Sequence, residues 1–262
     1  MDRTFDELVA EADAAPMSGW DFSWLAGRAT EERPSWGFSR LLHERLGTVD
    51  AALDLQTGGG EVLAAAPALP RLLVATEGWP PNVAAATARL HPRGVAVVAH
   101  DDAASGGWPG GAPLPFGDAA FDLVTSRHPV VPRWSEIARV LRPGGTYLAQ
   151  HVGPASVFEL VEHFLGPQPP EVRRGRDPGD EVAGARASGL ELVDLRAERL
   201  RIEFHDVGAV VWFLRKVVWM VPGFTSDAYR DELRDLHERI AADGPFVAHS
   251  ARHLVELRRA TG

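Results

Sequence analysis

The feature that most constrains the fold of this chain is an alternation of apolar runs and helical segments between residues 48 and 152. Continuous apolar strands that alternate with helices are typical of a parallel sheet covered on both faces. Right-handed crossovers between such strands produce a doubly wound α/β sheet. The predicted strands are 49–55, 71–76, 95–99, 121–126 and 146–151, and the predicted helices are 61–68, 81–90 and 135–141.

Composition excludes several classes of protein. The chain has 262 residues, a formal net charge of -9 and no cysteine, which rules out disulfides, thiolate nucleophiles and cysteine-ligated metals. A negative charge gives no general attraction for phosphate backbones, so nucleic acid is not the expected partner. The acidic N-terminus and the absence of an apolar run of about 20 residues predict neither a secretory signal nor a membrane span. We therefore expect a cytoplasmic protein, with a homodimer left open.

The regions on either side differ in texture. Residues 1–47 are predicted to form a helical cap that either packs on the core or serves as a lid with indoles lining a pocket. Residues 48–262 are predicted to form the main domain, with 206–245 as a helical insertion beside the acceptor pocket. Within the second half we expect a loop at 166–180, a strand at 190–195 with a continuation through 200–204 left open, a helix at 207–221, a helix capped by Ser226-Asp227 and a last strand at 246–257.

The turn after the first strand points to a ligand. An apolar strand carrying Asp54 is followed by Gly58, Gly59 and Gly60 and then by a helix. Glycines permit positive φ and allow a ligand to touch the backbone. Free N–H groups at a helix N-terminus favour an anionic group. A glycine triplet is also compatible with a simple tight turn, so this segment alone does not decide.

Acidic residues follow the next two strands. Glu77 ends the second strand, where a carboxylate suits the two hydroxyls of a ribose, and Asp102 follows the third, where it suits an exocyclic amine of adenine. Ordinary solvated turn acids are the alternative for both. The G-x-G-x-x-G spacing that holds a pyrophosphate is absent, and Glu61 directly behind the glycines suits a pyrophosphate poorly. A ligand with an ammonium and a carboxylate fits better, which describes the methionine part of S-adenosylmethionine.

Three segments carry a family resemblance: LDLQTGGG at 53–60, LPFGDAAFDLV at 114–124 and IARVLRPGG at 137–145. In this order and spacing they resemble the class I S-adenosylmethionine-dependent methyltransferases, in particular the group of ubiquinone and menaquinone biosynthesis. The resemblance implies a Rossmann-like, seven-stranded, mostly parallel sheet whose last strand is antiparallel. It also implies S-adenosylmethionine as cofactor and S-adenosylhomocysteine as product. The residues it assigns to the cofactor are Asp54, Gln56, Thr57, Gly58, Gly60, Glu77, Trp79, Asp102 (with Asp101 as the alternative), Ala103 and Arg127.

One residue departs from the family pattern. Gln56 stands where the family has the first glycine of D-x-G-x-G-x-G. Its side chain either crowds the turn or reaches the carboxylate of the cofactor. Weakened cofactor binding therefore stays open.

Methyl transfer from a sulfonium is an in-line displacement in which the protein mainly aligns the reactants. His128 is the first candidate for a base, His151 the second and His205 the third, with a structural histidine as the alternative for each. A small aromatic or apolar acceptor is predicted, with Trp20, Trp24, Trp36 and His128 beside it. No metal site is predicted, because His249 and His253 lie in a predicted strand. Methylation of RNA near Arg173, Arg174 and Arg176, a non-catalytic cofactor-binding protein and a nicotinamide dehydrogenase are the competing hypotheses.

Overall fold

A computed structural model of the chain describes residues 3–17, 21–100 and 112–261. The strands are β1 (Ala29–Glu31), β2 (Ala51–Leu55), β3 (Leu72–Glu77), β4 (Ala96–Ala99), β5 (Phe121–Arg127), β6 (Leu141–Val152), β7 (Leu190–Phe204) and β8 (Phe246–Arg259). The helices are α1 (Phe5–Ala14), α2 (Phe38–Leu46), α3 (Glu61–Ala64), α4 (Pro80–Leu90), α5 (Trp134–Val140), α6 (Phe158–Leu165), α7 (Pro170–Arg173), α8 (Pro178–Ala187), α9 (Val207–Lys216) and α10 (Arg230–Asp243). None of these helices, within the ranges given, is long and apolar enough to cross a membrane.

The chain divides into two compact units. The first unit comprises the described residues of 1–33, 154–175 and 199–251, and the second those of 34–153, 176–198 and 252–262. Strands β7 and β8 contribute residues to both units. The predicted domains, a cap at 1–47 and a main domain at 48–262 with an insertion at 206–245, stay a prediction.

The second unit contains the predicted doubly wound sheet. Its strand order is β7-β8-β6-β5-β2-β3-β4. Strands β4, β3, β2, β5 and β6 run parallel, and β8 pairs with β6 in the antiparallel sense. The α/β class, the mostly parallel sheet and the antiparallel last strand are therefore confirmed.

Apolar residues fill both faces of this sheet. Along β2, Ala51, Leu53 and Leu55 pack in one cluster with residues of α5 and α8, whereas Ala52 packs in a second cluster with residues of α2, α3 and α4. Successive side chains of a strand point to opposite faces, so a strand buried on both sides must be apolar throughout. This is why β2 is readable from the sequence as a continuous apolar run.

The first unit has a helical core. Its buried cluster includes Phe5 and Leu8 of α1 and Val210 and Trp212 of α9. A Cβ at Gly208 would lie 2.8 Å from the carbonyl oxygen of Leu8, so a glycine is required for the close approach of α1 and α9. Strand β1 pairs with the end of β7 in this unit.

The predicted strand count was wrong by one. The described residues form eight strands rather than seven, because Ala29–Glu31 pairs antiparallel with Ile202–Phe204. A strand of three residues without a buried face leaves no periodic signal in the sequence.

Several predicted helix bounds in the second half were also wrong. The helix at 207–221 ends at Lys216, and Val218 and Trp219 beyond it are exposed. The last helix begins at Arg230 rather than near Ser226, because the Ser226 hydroxyl donates to a carboxylate oxygen of Asp13 at 2.8 Å. The predicted loop at 166–180 contains α7 and the start of α8, whose first residue Pro178 suits the first turn of a helix.

Candidate functional site

The candidate site lies at the carboxyl ends of the parallel strands in the second unit. Strand β2 has β3 on one side and β5 on the other, so the chain reverses its winding direction at β2. Ligands of doubly wound sheets bind in the crevice at such a switch point. The polar groups described below lie at the ends of β2, β3 and β6, in the turns after β2 and β5, and on α8 and β8.

The turn after β2 is held in an unusual backbone conformation. Gln56, Gly58 and Gly60 have φ values of 55°, 64° and 78°. A Cβ at Gly60 would lie 2.8 Å from Cδ1 of Leu90, so this glycine is needed for its space as well as its dihedral angle. Gln56 is a non-glycine residue in the left-handed region, which costs about 1 kcal/mol.

The side chain of Gln56 closes part of the crevice. Its Oε1 accepts the backbone N–H of Val130 at 2.8 Å, which ties the turn after β2 to the loop after β5. Its own N–H donates to the Thr76 hydroxyl at 3.3 Å. The glutamine therefore occupies the place between the two loops where the family pattern has only a glycine backbone.

Asp54 is a buried acid at the end of β2. Burial raises its pKa to about 7, the nearby carboxylate of Glu77 adds to this effect, and a hydrogen bond with the Thr57 side chain opposes it. An acid with this pKa changes its charge near neutral pH. A cationic group placed beside it would favour the ionised form.

Glu77 at the end of β3 is already used by the backbone. Its Oε2 accepts the N–H of Gly58 at 2.8 Å, and its Oε1 accepts the N–H groups of Gly78 and Trp79 at 3.1 and 3.0 Å. A carboxylate offers about four lone-pair directions, so three are filled and one is left. Both hydroxyls of a ribose could be accepted only after the Gly58 N–H leaves Oε2. The Trp79 indole is 48% exposed.

His128 is hydrogen-bonded to Gln150, which is hydrogen-bonded to Trp36, and the direction of both bonds follows from the donor at Trp36. Trp36 Nε1 lies 2.9 Å from Oε1 of Gln150, and an indole N–H can only donate. The amide nitrogen of Gln150 therefore faces Nε2 of His128, at 2.9 Å, and donates to it.

His128 is thus a neutral imidazole with its proton on Nδ1. Burial, followed by the positive charges of Arg252 and Arg127, keeps the pKa of His128 well below its usual value. Nε2 can take a proton only if the Gln150 bond breaks, so the group that His128 offers in this conformation is the Nδ1–H. Trp36 is 2% exposed and acts on His128 through Gln150.

His151 lies on the opposite face of β6 from Gln150. Its Nδ1 is 2.6 Å from Oε2 of Glu181, and the same oxygen is 2.8 Å from Nε2 of His253. The Tyr147 hydroxyl is 2.9 Å from Nε2 of His151. Hydrogen bonds from the two histidines outweigh burial and hold the pKa of Glu181 at about 2, while burial lowers the pKa of His151. We call His151, Glu181 and His253 the histidine–glutamate cluster.

A small pocket adjoins these residues. It lies beside the turn after β2 and the loop after β5, and the buried Tyr147 forms part of its wall. The lining is mostly apolar and consists of Leu55, Gln56, Leu114, Ser126, Pro129, Val131, Pro132, Arg133, Ile137 and Tyr147.

The segment 137–145 connects neighbouring parts of the second unit through Arg139. Arg139 pairs with Glu136 and Asp118, at 2.7 and 2.8 Å, and donates to the carbonyl oxygens of Leu114 and Phe116. It therefore clamps the segment that leads into β5. A Cβ at Gly145 would lie 2.9 Å from the carbonyl oxygen of Arg142, so glycine is required there.

The structure brings Asp54, Gln56, Thr57, the glycine turn and Glu77 together and places His128 after β5. Arg127 ends β5 and is exposed. Trp24 and His205 lie in the first unit, where Trp24 stacks on Trp212 with ring centroids 5.7 Å apart. The predicted residues Trp20, Asp101, Asp102 and Ala103 lie outside the described residues.

Sequence reasoning missed Gln150, Tyr147 and Glu181, and it set His253 aside as a residue of a predicted strand. The alternation of residues along β6 places Tyr147 on the face of His151, which was the only signal for any of them. Their grouping depends on which residues of β6 and β8 stand opposite each other, which no local pattern reveals.

Comparison with known proteins gives a family match over the central part of the chain. Residues 53–149 match the family model described as "Methyltransferase domain". No curated protein matches the chain.

Solved structures share the fold. BH2331 from Bacillus halodurans C-125, a presumed methyltransferase, is 19% identical with a TM-score of 0.58, over 84% of this chain and 98% of that one. YcgJ from Bacillus subtilis is 19% identical with a TM-score of 0.59, over 86% and 98%. The [4+2]-cyclase SpnF is 20% identical with a TM-score of 0.51, over 88% and 85%. At these identities the likeness concerns the fold alone.

Proposed function

We propose that this chain is a class I S-adenosylmethionine-dependent methyltransferase that methylates a small aromatic or apolar organic molecule in the cytoplasm. The match of residues 53–149 to a methyltransferase domain supports this proposal. The observation that carries the cofactor part of the proposal is the pair of buried acids, Asp54 and Glu77, on either side of the glycine turn. The lining of the pocket beside Gln56 and Tyr147 is mostly apolar, which suits an apolar acceptor, but in this conformation the pocket has room for about one water molecule and must open to admit such an acceptor.

The residues fit S-adenosylmethionine chemically. Glu77 would accept hydroxyls of the ribose, the turn at Gly58–Gly60 would lie against the amino-acid part, and Asp54 would face its ammonium group. When bound, the cofactor supplies a methyl group on a positively charged sulfur, which is the electrophile of the reaction. We assign Trp79 to the adenine, as the exposed aromatic next to Glu77.

Binding requires two contacts of the present conformation to open. The Gly58 N–H must leave Glu77 before both ribose hydroxyls can be accepted. The Gln56 side chain must leave Val130 if the amino-acid part takes that space. A neutral hydrogen bond contributes about 0.5–1.5 kcal/mol net and a bond to a charged group about 1.5–3 kcal/mol. The cost of breaking these two bonds is therefore smaller than the binding free energy of about 8 kcal/mol that corresponds to a micromolar dissociation constant.

His128 is proposed to act on the acceptor as a hydrogen-bond donor through Nδ1. Donation from a neutral imidazole orients an acceptor oxygen or nitrogen so that its lone pair faces the methyl group. It serves as a base only after Gln150 releases Nε2. Trp36 and Gln150 are positioning residues for this histidine.

A non-catalytic cofactor-binding protein is the second candidate. The bridge from Gln56 to Val130 favours it, because this bridge fills a place that the family leaves open. The likeness of fold to a protein named as a cyclase also means that the fold does not fix the reaction. RNA methylation is less favoured, because Arg173 of the basic patch is paired with Glu162 and the whole chain carries a charge of -9.

The test is calorimetric titration with S-adenosylhomocysteine followed by transfer of a labelled methyl group to panels of small phenols, amines and RNA. We expect Glu77→Ala to weaken binding tenfold or more, on the scale of about 1–3 kcal/mol. Glu77→Gln keeps one oxygen for the backbone amides and separates loss of binding from loss of fold. The exposed Glu44→Ala is the matched control and should bind within twofold of the wild type. An unchanged dissociation constant in both Glu77 variants contradicts the assignment, and binding without transfer to any panel supports the second candidate.

A further inference from the structure

We propose that the histidine–glutamate cluster, His151, Glu181 and His253, is a binding site for one zinc ion. The site lies within the second unit and involves neither the glycine turn nor Glu77. The zinc proposal therefore does not rest on the proposed cofactor contacts, although Tyr147, which is bonded to His151, also lines the pocket described above.

Regular elements place the three ligands. His151 of β6 and His253 of β8 stand directly opposite each other in the antiparallel register, and their ring centroids are 5.1 Å apart. Directly opposed residues have neighbouring side chains on the same face of the sheet. Helix α8 supplies Glu181 over the same face, so two strands and one helix fix the ligands more tightly than loops would.

The three ligand atoms already converge. Nδ1 of His151 and Nε2 of His253 lie 2.6 and 2.8 Å from the same carboxylate oxygen, and all three atoms are within 4.8 Å of one another. Around a tetrahedral zinc with bonds of about 2.0–2.1 Å, neighbouring ligand atoms are about 3.3 Å apart. Shifts of less than about 1 Å in each side chain would therefore admit the ion.

The chemistry of the ligands favours zinc over magnesium and calcium. Two imidazoles and one carboxylate form a borderline donor set that suits zinc, whereas magnesium and calcium prefer oxygen ligands. The carboxylate supplies one negative charge against the dication. Three protein ligands leave a fourth position for water, as in zinc sites that are not purely structural.

The surroundings shield the cluster from bulk solvent. The side chains of His151 and His253 are 2% and 1% exposed, and that of Glu181 is 16% exposed. The Trp134 indole stacks on His151 with an interplanar angle of 27°. A Cβ at Gly184, three residues after Glu181 on α8, would lie 2.9 Å from that indole, so glycine is what admits the tryptophan.

The ring nitrogens of His151 and His253 that would not bind zinc can carry the imidazole protons. The Tyr147 hydroxyl lies 2.9 Å from Nε2 of His151, and a hydroxyl both donates and accepts. When zinc takes Nδ1, the imidazole proton moves to Nε2 and donates to the tyrosine oxygen, which is the usual outer bond of a zinc-bound histidine. Nδ1 of His253 is buried and has no hydrogen-bond partner among the described residues, so no bond prevents it from carrying the proton while Nε2 binds the metal.

A second histidine–glutamate pair provides a matched control. Nδ1 of His249 lies 2.9 Å from Oε1 of Glu159, but the two side chains are 37% and 35% exposed. Among the described residues, no third metal ligand lies close enough to complete a metal site with His249 and Glu159. It should not bind zinc tightly.

The experiment uses the full chain without S-adenosylmethionine, stripped with a chelator and titrated with zinc chloride in competition with a colorimetric zinc indicator. We expect one equivalent of zinc per chain, and a rise in melting temperature because an ion that binds the folded state stabilises it. Glu181→Gln and His253→Gln should each weaken binding tenfold or more. His249→Gln should bind within twofold of the wild type. Cobalt(II) in place of zinc should give the visible absorption of a four-coordinate site in the wild type but not in Glu181→Gln.

Three outcomes would overturn the proposal: binding of less than half an equivalent by the wild type, equal affinity in the wild type and Glu181→Gln, or an equal loss in His249→Gln. Circular dichroism establishes that each variant is folded. Glu181→Gln has nearly the shape of the native side chain, so it decides the question if His253→Gln does not fold. Zinc binding without methyl transfer would leave this proposal standing and count against the proposed function. Methyl transfer without zinc binding would do the opposite.

Discussion

Replacement of Asp54 by asparagine should change how the stability of this protein depends on pH. The carboxyl group is buried at the end of β2, and burial raises its pKa from 3.8 to about 7. Asparagine has nearly the same shape as the protonated acid and carries no charge at any pH. The variant therefore keeps the packing and removes the titration.

The sign and the size follow from linkage. Between pH 3.8 and about 7 the native state holds a proton that the unfolded state has lost, so the free energy of unfolding falls as the pH rises through this range and levels off above pH 7. The shift spans about 3 pH units, and at about 1.4 kcal/mol per unit the upper bound is about 4 kcal/mol. Relative to the wild type, Asp54→Asn should gain stability steadily from pH 5 to pH 7 and hold that gain at pH 8.

Urea unfolding at half-unit steps from pH 5 to pH 8.5 measures this difference. Other titrating groups are common to both proteins and cancel when the two curves are subtracted. Asp243→Asn, at the exposed end of α10, is the control and should run parallel to the wild type. Parallel curves for Asp54→Asn and the wild type would refute the buried-acid argument, as would a gain at low pH instead of high pH.

Three further substitutions test the geometry of the second unit. Gly60→Ala should lose about 2 kcal/mol or more of stability in chemical denaturation, whereas Gly94→Ala, with the same φ of 78° and no atom within 4 Å of its Cβ, should lose only about 1 kcal/mol; equal losses would contradict the contact with Leu90. Arg139→Met should lose about 2 kcal/mol because the largely buried carboxylate of Glu136 and two backbone carbonyls lose their partner, while the exposed pair with Asp118 contributes little. Arg40→Met, in the exposed pair with Glu44, should lose less than about 0.5 kcal/mol. Trp36→Phe should lower kcat about tenfold with little change in cofactor affinity, and the ¹⁵N shifts of His128 should show the proton no longer confined to Nδ1; an unchanged shift would remove Trp36 from the positioning chain.

The sequence predicted the parallel sheet well, because β2, β3 and β5 are buried on both faces and are therefore largely apolar. Strands β2 to β5 lie within two residues of their predicted bounds. The last helix was placed too early, because Ser226 binds Asp13 instead of capping a helix, and only the tertiary structure pairs these two residues.

The sequence predicted the site residues that lie at strand ends, but not those that meet only because of the strand register. Asp54, Glu77 and the glycine turn sit at strand ends, which a pattern of apolar runs locates. The partners of His128 and His151 sit inside β6, on α8 and on β8, and the strand register decides which of them meet. That Glu77 is occupied by backbone amides also depends on the shape of the turn, which letters alone do not encode.

The amides held by Glu77 have a consequence for how tightly any ligand can bind there. In the ligand-free protein the Gly58 N–H acts as an internal competitor, present at a high effective concentration because it is attached to the same loop. Measured affinity therefore reports the difference between two sets of hydrogen bonds to one carboxylate. A substitution that weakens the bond between the Gly58 N–H and Glu77 without touching the ligand should therefore lower the dissociation constant. The affinity of this site depends on the conformation of its own turn as well as on the ligand.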